Sequence, residues 1–160
     1  MSWTNADGLT VLMHEEQGEV QTNGSTAVGV RKALVVDLED ATTLGTSYTT
    51  AAGPTDAAIP ANALIVDAHF LVDTAFTSGG SATLSIGLYN AAGSAIDADG
   101  IDATIAVAAL GADVATVCDG ALADGTQNVG AADAYVGFIY GTAAFTAGSG
   151  KLVIEYIEVL

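Results

Sequence analysis

Residues 63–76 read ALIVDAHFLVDTAF, and this stretch decides the fold. Leu64, Val66, Ala68, Phe70, Val72 and Phe76 share one parity, while Asp67, His69 and Asp73 share the other. Successive side chains of a strand point to opposite faces, so a period of two over this length predicts a half-buried β-strand. The glycines of TSGGS at 77–81 accept positive φ, and Leu84, Ile86 and Leu88 alternate again beyond them. The sequence therefore predicts a hairpin across 63–88.

The end of the chain repeats this texture. Val136, Phe138 and Tyr140 alternate, TAGSG follows at 146–150, and Leu152, Ile154 and Tyr156 return, which predicts a second hairpin. AFTSGG at 75–80 and AFTAGS at 144–149 point either to equivalent places in a sandwich or to convergent turn chemistry. Leu34, Val36 and Leu38, alternating with Ala33, Val35 and Asp37, predict a strand over 31–40, and a weaker one is expected near 44–50. A short strand is expected at 114–118, with loops at 119–125 and 128–132. Ile101, Ile105, Ala108 and Ala109 recur at helical spacing, with Asp97 or Asp99 as cap and Gly111 as stop, so one short helix is expected there. Many short strands without a βαβ rhythm predict an all-β fold, an antiparallel β-sandwich of jelly-roll type. Residues 1–28 are polar and turn-rich and read as an extended N-terminal arm or loose hairpin, leaving 29–160 as the sandwich domain.

Composition excludes several functions. The chain has 160 residues, 3 Lys and Arg against 19 Asp and Glu, and a formal charge of -16. So few cations cannot neutralise a run of phosphates, which argues against nucleic-acid binding, and the same shortage argues against anionic lipid. No apolar run reaches the roughly 20 residues of a membrane span, and MSWTNADG does not read as a secretory signal, so a soluble protein made in a cytoplasm is expected. Cys118 is the single cysteine, read as a small buried hydrophobe rather than a disulfide partner or metal ligand.

The chemistry-bearing residues are sparse. His14 lies in the polar lead segment with Glu15 and Glu16, and His69 on the outward parity beside Asp67 reads as a surface histidine. No Ser or Cys, His and acid arrangement suggests a hydrolase triad. Asp97, Asp99 and Asp102 in DADGID resemble a calcium loop but lack the closing Glu, and Asp97 serves equally as a turn former. A glycosidase carboxylate pair lacks the aromatic residues that would stack on sugars. The Gly-rich turns lack the ending of a phosphate loop. No catalytic residue, cofactor or metal is expected. Small residues on outward strand faces favour a homo-oligomer.

The segments WTNADGLTVL, VVDLED, IPANALIVDAHFLVDTAFTSGGSATLSIGL and the closing NVG…AFTAGSGKLVIEY resemble the head decoration, cement or minor capsid proteins of tailed bacteriophages, especially those of aquatic bacteria. The resemblance covers most of the chain in texture and segment order, and IPANA with the strand and turn after it is its most specific piece. It implies a sandwich protein, often a homotrimer, on the outer capsid surface of the virion at local threefold positions. Such a protein ties major capsid protein subunits together. In that setting Trp3, Leu9, Val11, Leu12 and Met13 are the expected partner interface, an apolar knot in an otherwise polar arm. A charge of -16 suits the side away from packaged DNA. The alternative is a head-fibre or tail-fibre module that binds a host receptor or glycan through its Ser- and Gly-rich loops.

Overall fold

The stretch at 63–76 is a strand in the computed structural model, which describes residues 2–4, 10–12, 31–47 and 58–158. The strands are β1 (Ser2–Thr4), β2 (Thr10–Leu12), β3 (Arg31–Leu38), β4 (Ala58–Ile59), β5 (Leu64–Ser78), β6 (Thr83–Tyr89), β7 (Ala95–Ala106), β8 (Ala115–Val117), β9 (Ala134–Gly141) and β10 (Phe145–Ile157). Among the described residues the helical content is two 3-10 turns, Ala41–Thr43 and Val107–Ala109. The chain divides into two compact units, residues 1–30 and 31–160. In the first, β1 and β2 pair antiparallel, with Trp3 opposite Val11.

The second unit holds two four-stranded antiparallel sheets, in the orders β3-β10-β5-β8 and β4-β9-β6-β7. The pairs β3 with β10, β4 with β9, β5 with β8 and β6 with β7 match the first half of the unit to the second, strand for strand. The strands of this unit thus form one long hairpin with its tip at residues 90–94. Rolling that hairpin up brings β10 against β5 and β9 against β6 as well. This connectivity is a jelly roll, the expected antiparallel sandwich. At the tip, the Asn90 side-chain oxygen accepts from the amides of Ala92 at 2.9 Å and Ser94 at 3.0 Å. Gly93, at φ +80°, supplies the left-handed residue the turn needs.

The core lies between the sheets. Ala68, Phe70, Val72 and Phe76 of β5 face Leu84, Ile86 and Leu88 of β6 and Val136 of β9, all buried. At the start of β5 the parity differs from expectation: Ile65 is buried, while Leu64 and Val66 are only half-buried. The pairing explains the switch. Asp67 lies opposite Glu155 but Ile65 opposite Tyr156, so Val66 is an extra residue, and a bulge turns the following side chains over.

Both predicted hairpins are corrected. β5 and β6 lie in different sheets, as do β9 and β10, so the links at 79–82 and 142–144 cross the sandwich instead of closing a local pair. The two AFT repeats meet at these crossings. Phe145 pairs with Ser78 and Ala147 with Thr77, the Thr77 and Thr146 hydroxyls are 2.8 Å apart, and the Ser78 hydroxyl donates to the Ala144 carbonyl at 2.8 Å. TAGSG is no turn at all but part of β10. Its glycines make room for rings: a Cβ at Gly148, which has φ +140°, would fall 2.5 Å from the Phe76 ring, and one at Gly150 would fall 2.8 Å from that of Phe70. The Phe70 and Phe76 rings meet edge to face at 5.9 Å, and Phe76 meets Phe145 at 5.2 Å.

The expected helix over 97–111 is strand β7 followed by a single 3-10 turn. Ile101 and Ile105 are both buried, because a spacing of four returns to the same face in a strand as well as in a helix. Residues 44–47 form no strand, and 48–50 lie outside the described residues. Instead Asp40 caps the turn at 41–43, its carboxylate accepting from the Thr42 amide at 2.9 Å. The short strand expected at 114–118 is β8.

These contacts fix two expected outcomes in urea unfolding. Phe70→Ala removes a fully buried ring and should lower stability by about 3–5 kcal/mol. Gly87→Ala places a methyl 2.2 Å from the Ala98 carbonyl oxygen on β7 and should cost about 1–3 kcal/mol.

Candidate functional site

The outward side of the β3-β10-β5-β8 sheet gathers the features that distinguish this surface. Inward positions of β3 and β10 are Val36, Leu38, Leu152, Ile154 and Tyr156, so their odd-numbered neighbours point away from the core. The register then lines up one row across all four strands: Val35, Val153, His69 and Val117. Val117 is 64% exposed, Val35 54% and Leu71, one row along, 39%. Isolated exposed apolar side chains are ordinary, but here they share one face and one row.

Charged pairs flank this row. Lys151 donates to the Asp37 carboxylate at 2.8 Å and lies 3.6 Å from that of Asp73. On the other flank, Arg31 meets Glu155 at 3.0 Å; Lys32, on the inward parity opposite Tyr156, donates to Glu158 at 2.6 Å at the sheet's end. The hydrogen bond that Lys151 donates to Asp37 and the charges of Asp37 and Asp73 hold the Lys151 ammonium above its ordinary pKa. Arg31, Lys32 and Lys151 are all the cations of the sequence, so every one sits on the β3–β10 pair. Such exposed pairs add little stability, and with Asp67 and Asp73 counted the outward carboxylates of this face outnumber Arg31 and Lys151. The sequence signal was present in Val35 and Leu71, apolar residues on the parity otherwise given to Asp and His.

His69 lies in the centre of the row, with a ring nitrogen 3.0 Å from the Asp67 carboxylate. Cys118 is on the opposite face, buried, its amide donating to the Ala68 carbonyl at 2.9 Å. Burial, with Asp102 and Asp119 adding to it, pushes the thiol up to about 12. Thiol and imidazole are therefore separated by the sheet, and His69 cannot activate Cys118.

The acidic segment does not close into a loop around a common centre. The Asp97 carboxylate accepts from the Asp99 amide at 3.4 Å. Asp102 is 4% exposed, with its carboxylate accepting from the Thr104 amide at 3.0 Å. Burial raises the Asp102 pKa, opposed by the Thr104 amide and reinforced by the charge of Asp119. Among the described residues no three His, Cys, Asp or Glu side chains converge as metal ligands. Of the expected arm interface, Trp3 and Val11 are opposed in the β1–β2 pair and Leu12 lies opposite Ser2. Leu9 and Met13 lie outside the described residues, as does His14.

Neither a protein-family model nor a curated protein matches the sequence. Solved structures do match the fold. A chain of the capsid of Ralstonia phage GP4 aligns with a TM-score of 0.55 at 18% identity, over 88% of this chain and 92% of that one. A chain of the cyanophage Pam1 capsid asymmetric unit aligns with a TM-score of 0.53 at 16% identity, over 92% and 98%.

Two measurements follow. The native Cys118 thiol should stay unlabelled by a neutral-pH disulfide reagent and react at once in denaturant; rapid native labelling would contradict its burial. Asp102→Asn should be more stable than the wild type at neutral pH. A raised folded pKa means the unfolded chain releases this proton first, so wild-type stability falls as pH rises from 3.8 through the folded value. The advantage of the variant should vanish in melts below that window.

Proposed function

We propose that this chain is a structural protein of a phage virion that decorates the outer surface of the head and stabilises contacts between major capsid protein subunits. The observation that carries the reading is whole-length agreement in fold with two phage capsid chains, nearly end to end on both sides of each alignment. Chemistry and charge support it. Among the described residues, His69 has only a surface carboxylate for a partner and Cys118 is sealed beneath the sheet, so this reading assigns no catalysis. A body carrying -16 is repelled by packaged DNA and is accommodated on the shell exterior.

In this reading residues 1–28 are an arm that lies on neighbouring capsid subunits and residues 29–160 are the body. Trp3, Leu9, Val11, Leu12 and Met13 would bury apolar area there at about 25 cal/mol per Å² before ordering costs. The body assembles as a homotrimer, so three arms act at high effective concentration and each needs only a modest contact. Neither nucleic acid nor membrane is a partner, and no cofactor is needed.

Cosedimentation with undecorated heads tests this. The full chain should bind heads in many copies and raise the temperature at which they rupture. Removal of residues 2–13 should leave the melt of the body unchanged and abolish binding. Equal binding by the shortened chain would refute the arm assignment, and no binding by the full chain would refute the decoration role.

A further inference from the structure

We infer that the outward side of the β3-β10-β5-β8 sheet is the face on which the body docks to its partner, and that the partner is a protein surface with an apolar centre rimmed by Lys and Arg. The inference rests on the decoration reading, in which that surface is the exterior of major capsid protein subunits. Among the described residues, three of the five exposed large apolar side chains, Val35, Leu71 and Val117, stand on this one face. Val153 and His69 complete the row between Val35 and Val117, so the valines form a band across the sheet.

Charge selects the occupant. Around the band, four outward carboxylates, Asp37, Asp67, Asp73 and Glu155, stand against two cations, Arg31 and Lys151. Lys151 is shared between Asp37 and Asp73, Arg31 faces Glu155, and Asp67 has an imidazole beside it in place of a fixed cation. The rim therefore keeps an anionic surplus within a chain of net charge -16. A second copy, a nucleic acid or an anionic bilayer brings more negative charge to that rim and is repelled, whereas Lys and Arg on a partner complete it. Strand spacing near 4.8 Å and a rise near 3.3 Å give the face roughly 20 by 25 Å, about 500 Å² per copy. That is below the roughly 800 Å² per partner of a standard interface. A threefold axis normal to the sheet leaves this face pointing the same way in every copy, so the homotrimer lays about 1,500 Å² on the shell. One copy alone holds weakly, and three linked copies hold well.

Titrating undecorated heads with the full chain, and reading the bound fraction by cosedimentation, tests the face and its charge separately. Val153→Asp and Val117→Asp each set a carboxylate in the apolar band and should weaken binding at least about tenfold. Their circular dichroism spectra and sedimentation masses should match the wild type, which controls for folding and assembly. Charge changes at the rim should act by sign. Asp67→Lys should weaken binding and Lys151→Glu should strengthen it, and both effects should fade as salt is raised. Wild-type affinity in both valine variants would overturn this face as the contact and leave the decoration role standing. The opposite order of the two charge variants would overturn the cationic partner. A wild-type chain that binds no heads would refute the decoration reading itself, and this inference with it.

Discussion

The pairing of β5 with β10 is the constraint on which the rest of the molecule depends. These are the longest strands, and they lie side by side in the middle of one sheet although some 70 residues separate them. Their inward side chains supply Phe70, Phe76, Leu152 and Ile154 to the core. Their register is held by shape as much as by hydrogen bonds. Phe76 lies over Gly148 and Phe70 over Gly150, where any larger residue would strike the ring. A slip by one residue would set those rings against side chains and turn every apolar group of β10 to solvent. Non-local pairing of this kind also implies slow folding, because a long loop must close before the contact forms.

The existence of the strands was legible in the sequence, and their partners were not. Alternation at Leu34 to Leu38, at Ala68 to Phe76 and at Leu84 to Leu88 reports burial on one face, which is a local property. Whether TSGGS returns the chain to its own sheet or carries it to the facing one depends on where β10 lies, and nothing local records that. The tip that does close the consecutive strands β6 and β7 is AsnAlaAlaGlySer at 90–94. At Val66 a single extra residue inverted the reading of the strand's first turn of alternation. Ile101 and Ile105 deceived for a different reason, since their spacing fits both periods. The repeated AFT motif had a structural meaning that periodicity alone could not choose: its two copies are neighbours at paired crossings between sheets.

For the candidate surface, the sequence offered chemistry without location. It showed three cations in an acidic chain and apolar residues on outward parities. Only the sheet order places Arg31 and Lys151, 120 positions apart, on one pair of strands, with Val35, Val153, His69 and Val117 in one row. The same order keeps the thiol and the imidazole apart. One sheet separates Cys118 from His69, and a buried carboxylate at Asp102 spends its acceptor on a backbone amide.

The position of β10 has a consequence for synthesis on the ribosome. It is second in its sheet, between β3 and β5. Until residues 145–157 have emerged, β3 lacks its neighbour in the sheet and β5 lacks one of its two, so both strands keep an open edge while the chain up to β10 is made.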